Sequence, residues 1–192
     1  MAEMTRRRDA YGSQGLVGSL DCATLYALTR WQRPAVVVES GGFIGMSSAF
    51  ILKACVNEGL ATAKLHSIEW SEACAQGALI PDELRPQFVP LRGKIEGFVE
   101  HDQLLSSIDM FLHDSSHSYR RFGSFVHFGR GCATADYLVS HDVHMNAAFP
   151  EFVTKTYAHD RKTGRLDAQR TSHYEWGRWG YIGFVIKRDK AD

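Results

Sequence analysis

Two kinds of apolar run alternate along this chain. Short unbroken blocks stop at an acidic residue, and longer stretches repeat apolar positions at helical spacing. Val36, Val37 and Val38 form the first block and Glu39 closes it, a pattern that fits a strand buried on both faces of a parallel sheet. Lys64 to Glu69 reads as a second strand, Phe88 to Leu91 as a third, Ile108 to His113 as a fourth with Asp114 at its end, and Ala135 to Ser140 as a fifth running into His141 and Asp142. Helices are predicted from near Met46 to about Asn57, around Tyr119, Phe122, Phe125 and Val126, and around Phe149, Phe152, Val153 and Thr156, with Pro150 in the first turn of the last. Ahead of the first strand, Leu25, Leu28 and Trp31 share a helical face behind Asp21, a candidate cap. Residues 160–171 are polar and predict a surface loop, while Ser172 to Trp176 and Tyr181 to Lys187 predict a hairpin around Gly177 to Gly180. The alternation predicts an α/β fold: a doubly wound, mostly parallel sheet with a C-terminal antiparallel hairpin. Residues 1–33 form a tail and cap helix in this reading, and residues 34–192 the sheet-bearing domain.

Bulk properties narrow the function. With 192 residues and 44% hydrophobic content the chain can bury one sizeable core and is short for two. Lys plus Arg equals Asp plus Glu at 22 each, so no global field favours nucleic acid or an anionic membrane. Arg6, Arg7 and Arg8 form the one compact basic cluster and lie in a polar tail read as solvated. No apolar run approaches about 18 residues, and no secretory leader pattern is visible, so a cytoplasmic protein with no membrane partner is expected. Cys22, Cys55, Cys74 and Cys132 lack C-x-x-C spacing, which favours buried reduced thiols over disulfides or zinc.

The chemistry gathers where strands end. Ligands of open α/β sheets bind outside the carboxyl ends of the strands, and Glu39, Glu69, Asp114 and Asp142 would all stand there. Such carboxylates repel one another, so their gathering points to ligand hydroxyls, a cationic ligand or a metal. Gly41, Gly42 and Gly45 permit positive φ and close backbone approach after the first strand, and Ser47 or Ser48 is a candidate cap for the next helix. The dinucleotide pattern G-x-G-x-x-G is not matched, which disfavours a nicotinamide-dependent oxidoreductase; the pattern G-x-x-x-x-G-K-[ST] is absent too, against a P-loop nucleotide hydrolase. Glu69, about 30 residues after the first strand, suits a ribose diol, with a solvated strand-end acid as the plainer alternative. Trp70 can stack on a purine or serve as core.

Together E-x-G-x-x-x-G-x-S at Glu39 to Ser47, S-I-E at Ser67 to Glu69, I-D-M-F-L-H-D-S-S-H-S-Y at Ile108 to Tyr119 and H-D-V at His141 to Val143 resemble the class I S-adenosylmethionine-dependent methyltransferases. The subgroup most similar comprises small-molecule O-methyltransferases with a D-x-x-H-S-Y signature, and the likeness spans roughly residues 34–145. It implies a Rossmann-like methyltransferase fold, S-adenosylmethionine as cofactor and a small-molecule acceptor. Residue by residue, it implies that Glu39 and Gly41 serve the methionine end of the cofactor; Gly45 and Ser47, in the same motif, are further cofactor-binding candidates. Glu69 serves the ribose and Gly93 the adenine-side turn, although Lys94 departs from the acidic or small polar residue usual there; Trp70 stands beside them as the candidate stacking ring. Asp114 and His117 would face the sulfonium and the acceptor as catalytic residues, with Tyr119 shaping the pocket; the plainer reading of His117 is a helix cap.

Some relatives hold magnesium through the fourth-strand acid and an acidic pair after the fifth strand. Here the set reads Asp114, His141 and Asp142, and imidazole shifts the preference from magnesium toward a transition metal. A pocket lined by His113, His117, His141 and His144 without metal is the other reading. In the expected reaction an acceptor oxygen attacks the methyl carbon, with His117 as base or a metal lowering the acceptor pKa. Two alternatives stand beside it: an enzyme of the same fold with other chemistry, similar to cephalosporin hydroxylase-like proteins, and a non-catalytic cofactor-binding accessory protein. The segments expected to face substrate, the first 30 residues and residues 145–175, are short. An open pocket, or one completed by a second subunit of a homodimer, follows.

Overall fold

The computed structural model describes residues 2–12, 16–101, 108–115, 137–145, 166–170 and 182–187. In chain order the described elements are α1 (Ala2–Tyr11), α2 (Ser19–Gln32), β1 (Val36–Ser40), α3 (Met46–Asn57), β2 (Lys64–Glu69), a 3-10 turn (Asp82–Gln87), β3 (Phe88–Arg92), α4 (Ile95–His101), β4 (Met110–His113), β5 (Tyr137–Ser140), β6 (Leu166–Arg170) and β7 (Gly183–Lys187). The strands form one seven-stranded sheet in the order β3-β2-β1-β4-β5-β7-β6. β3, β2, β1, β4 and β5 run parallel, and β7 and β6 add antiparallel pairs at the far edge. Strand order therefore reverses between β1 and β4, the place where an open α/β sheet leaves a crevice.

β1, β2, β4 and β5 form where the sequence pattern puts them because burial selects unbroken aliphatic runs, whereas β3, also where expected, is a half-exposed edge strand held by pairing with β2. Val37, Val38, Leu65, Ile68, Phe111, Leu112, Leu138 and Val139 are all buried. Asp109 pins the start of β1: its Oδ2 accepts from the backbone N–H groups of Ala35 and Val36 at 2.7 and 2.8 Å. α3 buries Ala49, Phe50, Ile51, Leu52, Ala54 and Cys55 over the sheet, and α2 packs Cys22, Leu25 and Leu28 into the same core. Arg30 and Arg33, at the end of α2, both pair with Glu58 just past α3, so the two helices are tied at one end as well as packed.

Several expectations are corrected. The basic tail leaves Arg6 and Arg7 exposed, as read, but it is helical: α1 carries an Arg7 to Glu3 ion pair at 3.0 Å, one turn apart. Trp31 does not share the buried stripe of α2; it is 63% exposed and meets Tyr137 edge-on at 6.1 Å. Gly18, not Asp21, is the residue preceding α2, and Asp21 points inward. Residues 166–170, expected within a polar loop, form β6. That segment, LDAQR, has little strand propensity of its own and becomes a strand by pairing with β7, which puts it at an edge where polar side chains are tolerated. The antiparallel pair is thus real, but its first arm is Leu166–Arg170; residues 172–176 lie outside the described residues. So do the helices predicted around 119–129 and 149–156. The short helix α4 was not signalled by the pattern.

Candidate active site

Parallel β1, β2, β4 and β5 bring their carboxyl ends to one rim, and Gly41 turns the chain there. Its φ is +92°, and a Cβ on it would stand 2.0 Å from the Asp114 carbonyl oxygen, so only glycine lets the β1 turn lie against the end of β4. The Gly41 and Gly42 N–H groups donate to the Ile68 carbonyl at 2.9 and 3.3 Å, which locks the turn to β2 as well. A cleft of about 360 Å³ opens beside it. Gly41, Gly42, Phe43 and Ser47 form one wall, Glu69 and Trp70 a second, and Asp114, His141 and Asp142 a third, while Leu16 and Val17 approach from the segment before α2.

Glu69 is nearly buried at the end of β2 and borders the cleft. Its Oε2 accepts from the Phe43 N–H at 3.0 Å and its Oε1 from the Ser71 N–H at 2.9 Å. A carboxylate has about four lone-pair sites, so two remain for ligand donors. Trp70 follows with 64% exposure and also borders the neighbouring hollow formed by Gly93, Lys94, Ile95 and Glu96, where Gly93 adopts φ +145°. That exposed ring resolves the choice between ligand wall and core against core.

Glu39 behaves differently from its assignment. It is fully buried and does not border the cleft; its Oε1 accepts from the Ser47 hydroxyl, and its Oε2 from those of Ser48 and, at 2.9 Å, Ser67. Burial pushes the Glu39 carboxyl up, the three hydroxyls pull it back, and the Asp114 charge adds to the rise. Ser47 and Ser48 accordingly do not cap α3, which starts at Met46 with Gly45 as the N-cap residue and no side-chain cap. Ser47 also borders the cleft, whereas Gly45 turns away from it and packs on Gly77 and Ile80. The sequence spacing placed Glu39 at the right height on β1 but did not show which way the serines would draw it.

At the other wall His141 sits among three aspartates. Its Nδ1 lies 3.0 Å from Asp114 Oδ1 and 3.3 Å from Asp142 Oδ2, and its Nε2 lies 3.2 Å from Asp21 Oδ2. Burial opposes a charged imidazole, but the Asp114 charge and the hydrogen bonds to Asp114, Asp142 and Asp21 outweigh it and hold His141 well above its usual range. Asp142 adopts φ +53°, a left-handed conformation that aspartate tolerates better than most residues and that turns its carboxylate back toward His141. One ligand atom each from Asp114, His141 and Asp142 lie within 4.8 Å of one another. The donor set fits a divalent ion, because two carboxylates and one imidazole nitrogen converge while the other nitrogen is anchored elsewhere. Asp21, a candidate cap by sequence, meets His141 instead, and nothing local in the sequence ties it to a residue 120 positions away. Phe43, whose N–H meets Glu69 and whose side chain borders the cleft, also went unsignalled. His117 and Tyr119 lie outside the described residues.

A family model described as a methyltransferase domain matches residues 38–142, more than half of the chain. The chain belongs to that family. Its match begins on β1 and ends on Asp142, so it spans both acidic walls of the cleft. No curated protein matches in sequence. Among solved structures, the chain is similar to the O-methyltransferase TomG from Streptomyces achromogenes, involved in tomaymycin synthesis and solved with S-adenosylmethionine, at 15% identity and a TM-score of 0.70 over 98% of this chain and 89% of that one. It is similar to a Bacillus cereus O-methyltransferase in complex with S-adenosylhomocysteine, at 14% identity and 0.68 over 97% and 89%. A third likeness is to the S-adenosylhomocysteine-bound methyltransferase PaMTH1 of Podospora anserina, at 11% identity and 0.65 over 98% and 87%. These likenesses establish the Rossmann-like methyltransferase fold, in agreement with the sequence reading. No helix among the described residues is long and apolar enough to cross a membrane.

Proposed function

We propose that this methyltransferase-family protein uses S-adenosylmethionine to O-methylate a small molecule. The observation that carries the reading is Glu69, a nearly buried carboxylate at the carboxyl end of β2, braced by two backbone N–H groups, with acceptor capacity facing a cleft that the exposed Trp70 ring also walls. A ribose diol and a purine answer those two groups. The cofactors held by the solved O-methyltransferases of the same fold support the choice.

S-adenosylmethionine supplies a methyl group already activated on a sulfonium. The protein's own residues then have three tasks. Gly41 and the turn after it admit the methionine portion between β1 and β4, Glu69 and Trp70 hold the nucleoside, and Gly93 leaves room on the adenine side. Asp114 presents a carboxylate toward the reacting end, where negative charge attracts the sulfonium. An acceptor oxygen must be aligned with the methyl and relieved of its proton, which for a phenol leaves at a pKa of about 10. His117, assigned by its place in D-x-x-H-S-Y, takes that proton. A divalent ion on Asp114, His141 and Asp142, if present, would lower the acceptor pKa. Leu16 and Val17 at the cleft support an acceptor site bounded by the amino-terminal segment, and balanced charge supports a small cytoplasmic acceptor over a nucleic acid.

Calorimetry with S-adenosylhomocysteine and transfer of labelled methyl from S-adenosylmethionine to a panel of phenols and catechols test this. Saturable binding with labelled product is expected. Failure to bind the cofactor overturns the reading, and binding without transfer to any acceptor turns it into that of an accessory protein.

A further inference from the structure

Asp21 has no place in the cofactor site, yet it is fully buried on α2 with Oδ2 on His141 Nε2 and Oδ1 unpartnered among the described residues. A carboxylate in that position is costly unless it performs something a neutral residue cannot. The imidazole it holds presents its other nitrogen to Asp114 and Asp142. When one ring nitrogen donates to a carboxylate, the tautomer is fixed and the opposite nitrogen becomes a better ligand. Three carboxylates also surround one imidazole.

We propose that Asp21 is the positioning residue of a divalent-ion site formed by Asp114, His141 and Asp142, and that through it the site selects a first-row transition ion over magnesium. Asp21 accepts from Nε2–H, the ion takes the place of the Nδ1 proton, and that proton leaves to solvent. Selectivity follows from the nitrogen: magnesium prefers an all-oxygen shell, whereas manganese, cobalt and zinc accept imidazole. α2, which precedes the cofactor-binding sheet, thereby becomes part of the site. The inference deepens the proposed function, on whose cleft it rests, but its chemistry is measured without turnover.

The test is calorimetry of the purified chain with manganese, cobalt and magnesium chlorides, on the wild type, Asp21→Asn and Asp114→Ala, beside S-adenosylhomocysteine titrations of each. Wild type is expected to bind manganese and cobalt at least tenfold more tightly than magnesium, and Asp114→Ala to lose the site. Asp21→Asn should bind the transition ions about 10- to 100-fold more weakly with unchanged S-adenosylhomocysteine affinity. Cobalt should show a visible spectrum with nitrogen ligation in the wild type that shifts in Asp21→Asn. Ring-nitrogen NMR of the zinc-loaded wild type, which needs no variant to fold, should show the Nε2–H tautomer of His141. Absence of transition-ion binding by the wild type, equal affinity in Asp21→Asn, or a metal-loaded His141 protonated on Nδ1 each overturn the proposal. Loss of cofactor binding with the metal results intact would instead remove the methyltransfer reading.

Discussion

Glu39 and Asp21 are both fully buried carboxylates beneath the same rim, and their surroundings are opposite. Glu39 takes three neutral hydroxyl donors from Ser47, Ser48 and Ser67, and every one of them fastens the β1 turn to a neighbouring element. Asp21 shares a single imidazole with two further aspartates and keeps an oxygen without a partner among the described residues. The first arrangement is complete within the chain, so it stiffens a turn and needs no ligand. The second crowds three acids round one ring, and a cation entering there would lower their mutual repulsion. The lesson is that two acids on one rim are told apart by their donors, not by their position on the strands.

Removing the shared imidazole should have the largest effect. His141→Ala strands three carboxylates together and is expected to cost about 3–5 kcal/mol of stability, read from urea denaturation; a loss no greater than that of Glu39→Gln would erase the contrast. Gly41→Ala comes next, at about 3 kcal/mol from overpacking against the Asp114 carbonyl, and S-adenosylhomocysteine binding should vanish with it. Glu69→Ala should weaken S-adenosylhomocysteine binding by about 1–3 kcal/mol in calorimetry, and lower the melting temperature as the Phe43 and Ser71 N–H groups lose their acceptor. Glu39→Gln sharpens the comparison from the other side: stability should fall by about 1–2 kcal/mol as serine hydroxyls lose part of their acceptor, yet cofactor affinity of the folded protein should hold. A matching fall in affinity would return Glu39 to the cofactor site. Glu58→Ala, which cuts the exposed tie from Arg30 and Arg33, should shift the melting temperature least of all.

Sequence pattern made the central parallel strands readable because burial on both faces admits little besides aliphatic side chains, and a charge at the end marks the rim. β2 ends at Glu69 in both the pattern and the structure. The sites of Gly41, Glu69, Trp70 and Asp114 at the cleft were readable for the same reason. Direction was not. Whether Glu39 turned to the cleft or inward depended on Ser67 in another strand, and whether Asp21 capped a helix or met His141 depended on how α2 docks. β6 was hidden because edge pairing, rather than its own residues, makes LDAQR extended.

The hydrogen bond from His141 to a helix ahead of the first strand has a practical corollary for anyone shortening this protein. Pro34 looks like a natural cut point, and everything after it contains the family match. A version starting there would keep the nucleoside wall and discard the far anchor of the imidazole, leaving the ring free to rotate. Because α2 also packs Cys22, Leu25 and Leu28 into the core, such a truncate is expected to lose stability together with its discrimination between ions, an outcome easily mistaken for a fragile enzyme that never needed one.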